Sequence, residues 1–351
     1  MQLYSKILQQ WYNEHKRDLP WRDVNDVYKI WISEIILQQT RVNQGLDYYL
    51  RFVQRFPDVQ SLGLAPEDEV LKLWQGLGYY SRARNLHKAA KQVLEHFRGV
   101  FPTHHAEVLS LSGIGAYTAA AICSIAYNQP FAVVDGNVYR VLSRLFAIDT
   151  AIDSGEGVKQ FASLAKNLLD ADNPGLHNQA LMEFGALQCV PVLPNCSICP
   201  LQSVCKAYKT DSQGQFPVKS QKVKVKERFF NYLVVEFNQN VFIQKRISKD
   251  IWRNLFEFPL IETDKLLTHD ELLENSDFRV LFQDLKSVNI QNVSKPYRHI
   301  LTHRIINAQF FKIIISERNT ELENFIEVPV SNLANYAVSR LIELYLESEN
   351  I

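Results

Sequence analysis

The hydrophobic periodicity of the chain changes near residue 227, and that change restricts it to a two-part architecture. Before Glu227, apolar residues recur at helical spacing. The repeats are Leu3/Tyr4, Ile7/Leu8 and Trp11/Tyr12, then Val27–Gln39, Glu67–Trp74, Arg82–Phe97, Glu107–Leu111, Ala116–Tyr127, Asn137–Phe146, Val158–Leu169 and Leu176–Leu187. Pro/Gly/Asn/Asp clusters such as Asp172-Asn173-Pro174-Gly175 separate them. After Glu227, Phe229–Phe237 and Val241–Lys245 flank Asn238-Gln239-Asn240, which predicts a β-hairpin. Ile305–Ser316 predicts another strand and Leu333–Leu346 a closing helix. Between the halves, residues 210–227 are polar and basic, with Lys219, Lys222, Lys224 and Lys226, and read as a linker. The expectation is an all-α domain over residues 1–209 and an α+β domain over 228–351, and the length of 351 residues suits two domains.

No apolar run reaches the roughly 18 to 20 residues of a membrane-spanning helix. The start, Met1-Gln2-Leu3-Tyr4-Ser5-Lys6, lacks a secretory pattern. A cytoplasmic protein away from membranes is expected. Basic and acidic residues balance at 38 each, but net charge averages over unlike surfaces. Arg82 and Arg84, Lys206 and Lys209, and the linker lysines are local basic edges suited to phosphate contact.

Four of the five cysteines fall in one short stretch, Cys189-x6-Cys196-x2-Cys199-x5-Cys205. In a chain without an export signal this points to a metal centre over disulfides. Structural zinc usually has two close C-x-x-C pairs and an iron–sulfur cubane accepts irregular spacing, so the spacing leaves both open. Cys123, alone on an apolar helix, reads as core. The turn Ser112-Gly113-Ile114-Gly115-Ala116 joins two helices. Its glycines permit close backbone approach ahead of a helix N-terminus, which makes a phosphate-sized site; the plainer reading is a glycine turn. Asp135 stands where a helix begins, as an N-cap whose ionised form the helix dipole favours. Glu34 has Ile30 and Leu37 at helical neighbour positions, so partial burial would raise its pKa and suit it to donate a proton.

A G-I-G hairpin, an aspartate about twenty residues later and four cysteines after a further helix together resemble the helix-hairpin-helix, Gly/Pro-Asp DNA glycosylase superfamily. Leu19-Pro20-Trp21-Arg22, Trp31-Ile32-Ser33-Glu34, Leu37-Gln38-Gln39-Thr40 and the run from Trp74 to Leu86 narrow the resemblance to MutY-type adenine DNA glycosylases. The match is dense over the first 206 residues and looser beyond. It implies a six-helix barrel module plus an iron–sulfur module, followed by a C-terminal Nudix-like domain. It also implies a monomer acting on double-stranded DNA that carries adenine opposite 8-oxoguanine or guanine.

By the same resemblance, Glu34 is the general acid, Asp135 stabilises the sugar oxocarbenium ion, and Asn137 supports Asp135 and the water. Tyr117 stands where bifunctional relatives carry a Schiff-base lysine, which implies a monofunctional enzyme. Trp21, Arg22, Gln39, Thr40, Leu77, Gly78, Tyr79 and Gln179 match positions that hold the extruded base or fill the gap, with Gln39 and Tyr79 as the wedge. Gly113 and Gly115 meet the DNA backbone, and Cys189, Cys196, Cys199 and Cys205 hold a 4Fe–4S cluster. In the second half, Phe256-Glu257-Phe258-Pro259 resembles a W-E-F-P-type segment, and no Nudix acidic box follows it. His299-Ile300-Leu301-Thr302-His303 matches the 8-oxoguanine-sensing loop, with Thr302 and His303 as its contacts. Leu301 and Thr302 replace the usual Phe and Ser, so the hydroxyl is kept and the stacking ring is not. Rival readings are an endonuclease III-type pyrimidine glycosylase, opposed by Tyr117 and the extra domain, and an inert zinc-stabilised DNA-binding protein.

Overall fold

A computed structural model describes residues 2–220 and 225–349, with the side chains of Gln2 and Leu3 left aside. The linker residues Lys222 and Lys224 therefore lie outside the described residues. The chain runs through α1 (Gln2–His15), α2 (Val27–Leu37), α3 (Val42–Arg55), α4 (Val59–Leu64), α5 (Glu67–Leu73) and α6 (Ser81–Phe97). There follow α7 (His105–Ser110), α8 (Ala116–Tyr127), α9 (Gly136–Phe146), α10 (Gly155–Leu168), α11 (Pro174–Leu187) and α12 (Lys206–Lys209). Two compact units result: residues 1–64 with 85–222, and residues 65–84 with 223–351.

The first unit is helical, as its periodicity predicts. α3 and α4 had no counterpart in the sequence reading. The residue before α3, Arg41, caps nothing with its side chain, and α3 carries Gly45, so the usual start signal is missing. Tyr49 and Phe52 nevertheless give α3 a buried face. Two glycines bring α11 against its neighbours. A Cβ on Gly175 would lie 2.5 Å from the Ser124 carbonyl oxygen of α8. A Cβ on Gly185 would lie 2.6 Å from Asn137 Cβ at the start of α9. Close crossing therefore depends on the missing side chains. The C-terminal end of α11 rests beside the residues around Asp135. The predicted linker is fastened to this unit at its early part, where Ile152 N–H donates to the Val218 carbonyl at 3.0 Å and Ser220 N–H to Asp153 at 2.9 Å.

The second unit is built on a mixed sheet of β1 (Lys226–Phe237), β2 (Asn240–Lys245), β3 (Phe256–Glu257), β4 (Leu260–Thr263), β5 (Val288–Val293), β6 (Tyr297–Ile300), β7 (Arg304–Ile315) and β8 (Ile326–Pro329). The central path runs β3-β2-β1-β7-β5, with β1 and β7 parallel from Lys226↔Arg304 to Glu236↔Ile314. The predicted β1–β2 hairpin forms, with Asn238 and Gln239 at φ 48° and 63°. Paired positive φ values are the two-residue turn whose twist matches the strands. Helices α13 (His269–Glu274), α14 (Ser276–Leu281) and α15 (Arg340–Glu349), together with α5 from residues 65–84, belong to the same unit. The closing helix starts at Arg340, seven residues after the expected Leu333. Residues 330–335 form a 3-10 turn, and the Ala337 carbonyl accepts from Phe256 N–H at 2.8 Å. Pairing of that backbone with β3 keeps it extended. Buried Arg246 and Glu257 pair at 2.7 Å beside the sheet, which explains a charged residue in the Phe256–Pro259 segment.

We expect Gly185→Ala to lower stability by about 1–3 kcal/mol through overpacking and to slow any reaction that uses Asp135. A thermal midpoint equal to wild type would show that α11 and α9 have slack at their crossing.

Candidate active site

α2 starts at Asp26, whose carboxylate accepts from Tyr28 N–H at 3.0 Å and Lys29 N–H at 3.2 Å. It buries Tyr28, Ile30, Trp31, Ile32, Ser33, Ile35 and Ile36, and Glu34, the one carboxylate of the helix, is half-buried among them. α8 packs alongside and brings the Tyr117 hydroxyl to donate to Glu34 Oε2 at 3.0 Å. Burial pushes the Glu34 carboxyl up to about 7, the Asp135 charge adds to the rise, and the Tyr117 hydrogen bond opposes it. Burial, with the neighbouring carboxylates, holds the Tyr117 phenol well above its usual range, so it remains a donor. Gln38 Nε2 donates to Thr118 Oγ1 at 3.1 Å and ties the end of α2 to the first turn of α8. The sequence points to Gln39 and Thr40 and not to Gln38. Gln39 is exposed with φ 57°, and Thr40 N–H closes the helix end onto the Leu37 carbonyl at 3.2 Å. Gly113 takes φ 77° in the turn before α8, where a Cβ would lie 2.6 Å from Asn85 Cβ, and Gly115, the helix N-cap, has open space where a side chain would be.

Asp135 is the N-cap of α9, accepting from Val138 N–H at 2.8 Å and from Asn137 Nδ2 at 2.7 Å. Asp135 is thus the N-cap that the sequence predicts. Burial outweighs those hydrogen bonds and raises the Asp135 pKa. A line of hydrogen bonds leads outward from it: Arg140 donates to Asn137 Oδ1 at 2.9 Å, to the Gly185 carbonyl at 2.7 Å and to the Cys189 carbonyl at 2.7 Å. Arg144, one helical turn on, donates to the Val190 and Pro191 carbonyls and to Cys189 Sγ at 3.5 Å. Neither arginine was singled out from sequence, because their partners lie some 40 to 50 positions away and leave no local pattern.

Cys189, Cys196, Cys199 and Cys205 line one cavity together with Arg144 and Gln213, and none is in a disulfide. Burial raises the thiols of Cys196, Cys199 and Cys205, and the neighbouring cysteines raise them further. As the side chains stand, no three metal-ligating groups among the described residues converge on a point. Four thiols facing one cavity, with an arginine donating to a sulfur, still form a donor set suited to a thiolate-bound, negatively charged group.

α11 presents Gln179, Met182 and Glu183 on one face, the spacing of one helical turn. Met182 Sδ accepts from the Tyr117 hydroxyl at 3.5 Å. Glu183 is 2% exposed and takes hydrogen bonds from Arg17 and Arg22, the latter at 2.8 and 2.6 Å. These outweigh its burial and hold its carboxyl down at about 2. Arg22 is thus clamped to Glu183, a residue the sequence reading missed although it is a lone carboxylate in an apolar helix. The Tyr12 hydroxyl donates to Gln179 Oε1 at 2.6 Å. Trp21 is buried, its ring edge-on to Tyr49 with centroids 4.8 Å apart.

The remaining expected residues lie in the second unit. Tyr79 is 47% exposed with φ 49°, and its hydroxyl lies 2.8 Å from Thr302 Oγ1, so two positions far apart in sequence meet. Arg82 donates to the Gly78 carbonyl at 3.1 Å and lies over the rings of Trp74 and Tyr79. Gly78 has φ 79°, and Leu77 is buried. The His303 carbonyl accepts from Lys226 N–H at 3.0 Å, while its side chain is exposed.

Residues 32–167 match the HhH-GPD superfamily of base excision DNA repair proteins, and residues 231–348 match the NUDIX domain. An adenine DNA glycosylase of Buchnera aphidicola subsp. Schizaphis graminum is 35% identical over 322 residues, which covers 91% of each chain. The chain belongs to the adenine DNA glycosylase family. The mouse member of that family is 46% identical over 222 residues, 60% of this chain and 43% of the mouse protein. Among solved structures, a thermostable thymine-DNA glycosylase superposes with a TM-score of 0.55 at 28% identity, over 60% of this chain and 96% of that one. The helical part carries the half-buried Glu34 carboxyl, and the sheet part matches the NUDIX domain. No described helix is long and apolar enough to cross a membrane.

Because the Glu34 pKa is higher folded than unfolded, the folded protein holds the extra proton. Stability is then lost as pH climbs from about 4.5 to about 7, and is constant above. Glu34→Gln removes that loss. We expect the variant to be about 3 kcal/mol more stable than wild type at pH 8 and equal to it at pH 4. Denaturant unfolding at the two pH values checks this, and equal stability at pH 8 would contradict a raised pKa.

Proposed function

We propose that this glycosylase hydrolyses the bond between adenine and deoxyribose in duplex DNA where the adenine faces 8-oxoguanine or guanine. The observation that carries the reading is the half-buried Glu34 carboxyl, held near 7 beside Asp135 and bonded to the Tyr117 phenol. A carboxyl with that pKa is protonated in half of the molecules near neutrality, where a general acid works best.

In the proposed reaction the adenine nucleotide is extruded from the stack, since the target bond is inaccessible in a paired base. Glu34 passes its proton to a ring nitrogen of adenine. The C1′–N9 bond then breaks, and its electron pair leaves with the base. The Asp135 carboxylate faces the positive charge that develops on the sugar. Water adds at C1′ and gives up a proton to the Glu34 carboxylate, which restores the acid. Asn137 holds Asp135 through its 2.7 Å hydrogen bond. Tyr117 offers a phenol and no amine, so no imine forms with the sugar and the strand is left intact.

Arg22, Trp21 and Gln179 form the base pocket in this reading. Gly113 and Gly115 offer backbone N–H groups to a phosphate, and Gln39, Thr40, Leu77 and Gly78 shape the gap that the base leaves. Gln39 and Tyr79, both exposed, are the proposed wedge residues. Thr302 and His303 are the proposed 8-oxoguanine contacts. Cys189, Cys196, Cys199 and Cys205 would hold a 4Fe–4S cluster, which supplies a covalent clasp for the loop. Arg140 and Arg144 carry that loop's position back to α9.

Free adenine measured from duplexes with A opposite 8-oxoguanine tests the reading. We expect release by wild type, and single-turnover rates at least about 100-fold lower in Glu34→Gln and Asp135→Asn. A wild-type rate in either variant contradicts the assigned chemistry. Borohydride should trap no enzyme–DNA adduct; efficient trapping would contradict the role given to Tyr117. The purified protein should carry iron and acid-labile sulfide, and zinc alone would remove the cluster from this reading.

A further inference from the structure

The Tyr12 side chain of α1 is buried and lies under the Arg22 guanidinium, 5.3 Å from ring centroid to cation. Arg22 is in turn held by Glu183, which also binds Arg17. The Tyr12 ring therefore has little freedom, and its hydroxyl is fixed on Gln179 at 2.6 Å. That length lies within the O–H···O range and below the usual N–H···O range of 2.7–3.2 Å. The atom facing the phenol is thus the amide oxygen. Burial holds the phenol up at about 12, against the opposing pull of Arg22, so the hydroxyl stays a donor at any working pH.

With Oε1 turned to Tyr12, the amide nitrogen of Gln179 is turned the other way. The face of α11 that carries Gln179 also carries Met182, whose sulfur accepts from the Tyr117 hydroxyl, which in turn donates to Glu34. Gln179 accordingly stands on the side of α11 that meets the acid. We propose that Tyr12 is a positioning residue that fixes the orientation of the Gln179 amide, so that Gln179 addresses the extruded base as a hydrogen-bond donor to a ring nitrogen. The proposal rests on the reading that the extruded adenine enters this site.

The chemical consequence is specificity. A free amide can rotate by half a turn and offer either oxygen or nitrogen to the same edge of a base. A locked amide cannot, and a base that presents N–H at that point leaves two donors facing each other without an acceptor. Unmet polar groups of this kind discriminate strongly, because each loses its solvation and gains nothing. On this assignment the exocyclic amine of adenine is not what Gln179 reads.

The test is single-turnover base release from duplexes with adenine, or purine lacking the exocyclic amine, opposite 8-oxoguanine. Wild type, Tyr12→Phe, Gln179→Leu and the double variant are compared. Tyr12→Phe keeps the ring under Arg22 and removes only the hydroxyl. We expect it to slow adenine release roughly tenfold, and to have no further effect once Gln179 is leucine. Gln179→Leu should slow adenine and purine release by the same factor. A Tyr12→Phe penalty that persists in full beside Gln179→Leu would make Tyr12 a packing residue and overturn the proposal. So would a Gln179→Leu penalty confined to the adenine substrate. Failure of wild type to release adenine at all would instead overturn the proposed function, so the two failures are distinguishable.

Discussion

The hydrogen bond from the Tyr117 phenol to the Glu34 carboxyl joins two requirements that oppose each other. Burial among the apolar residues of α2 drives the carboxyl toward its neutral form, and the phenol stabilises the ionised one. The outcome near 7 means that neither form is strongly disfavoured, so the same group can give a proton and later take one. Tyr117 is also a phenol and not an amine, so the group bonded to Glu34 cannot form an imine. Much of the helical unit serves this contact: Asp26 starts α2, Gln38 ties its end to Thr118, and the glycine turn before α8 sets where Tyr117 emerges.

α11 is the element through which the remaining groups reach the acid. It crosses α8 at Gly175 and α9 at Gly185, closely enough that a methyl group at either would collide with a neighbouring helix. One face of it carries Met182, which meets Tyr117, with Gln179 and the buried Glu183 beside it, and from its end the Gly185 carbonyl receives Arg140. Arg140 spans Asn137 and the Cys189 carbonyl, so a displacement of the cysteine loop and a displacement of Asp135 share one guanidinium. The buried carboxylate of Glu183 has the opposite electrostatic fate to Glu34: two arginines keep it ionised, where desolvation keeps Glu34 near neutral. Charge in this site follows partners, not residue type.

Residues with a local signature were legible in the sequence. Asp135 announces itself as an N-cap, Gly113 and Gly115 as a turn, the four cysteines by spacing, and Glu34 as an acid in an apolar helix. Residues defined by distant partners were not. Tyr12, Arg17, Arg140, Arg144 and Glu183 look like ordinary helix residues until the fold brings together positions some 45 to 170 apart. The same division holds for the fold. Long amphipathic helices and the β1–β2 hairpin follow from periodicity. α3 lacks a side-chain cap, and the start of the closing helix is delayed by backbone pairing with Phe256, which no local pattern encodes. Family resemblance pointed to Tyr79 and Thr302 separately; the fold adds that their hydroxyls meet within the second unit.

The central claim is that Glu34 is a carboxyl with a pKa near neutrality, and its titration is the most direct test. Carboxyl carbon NMR of protein labelled at glutamate, assigned with Glu34→Gln, reads that group alone. A midpoint near 7 agrees with the buried, phenol-bonded acid described here. A midpoint in the ordinary glutamate range near 4.5 would contradict it, because Glu34 would then hold almost no proton at the pH where the base must leave.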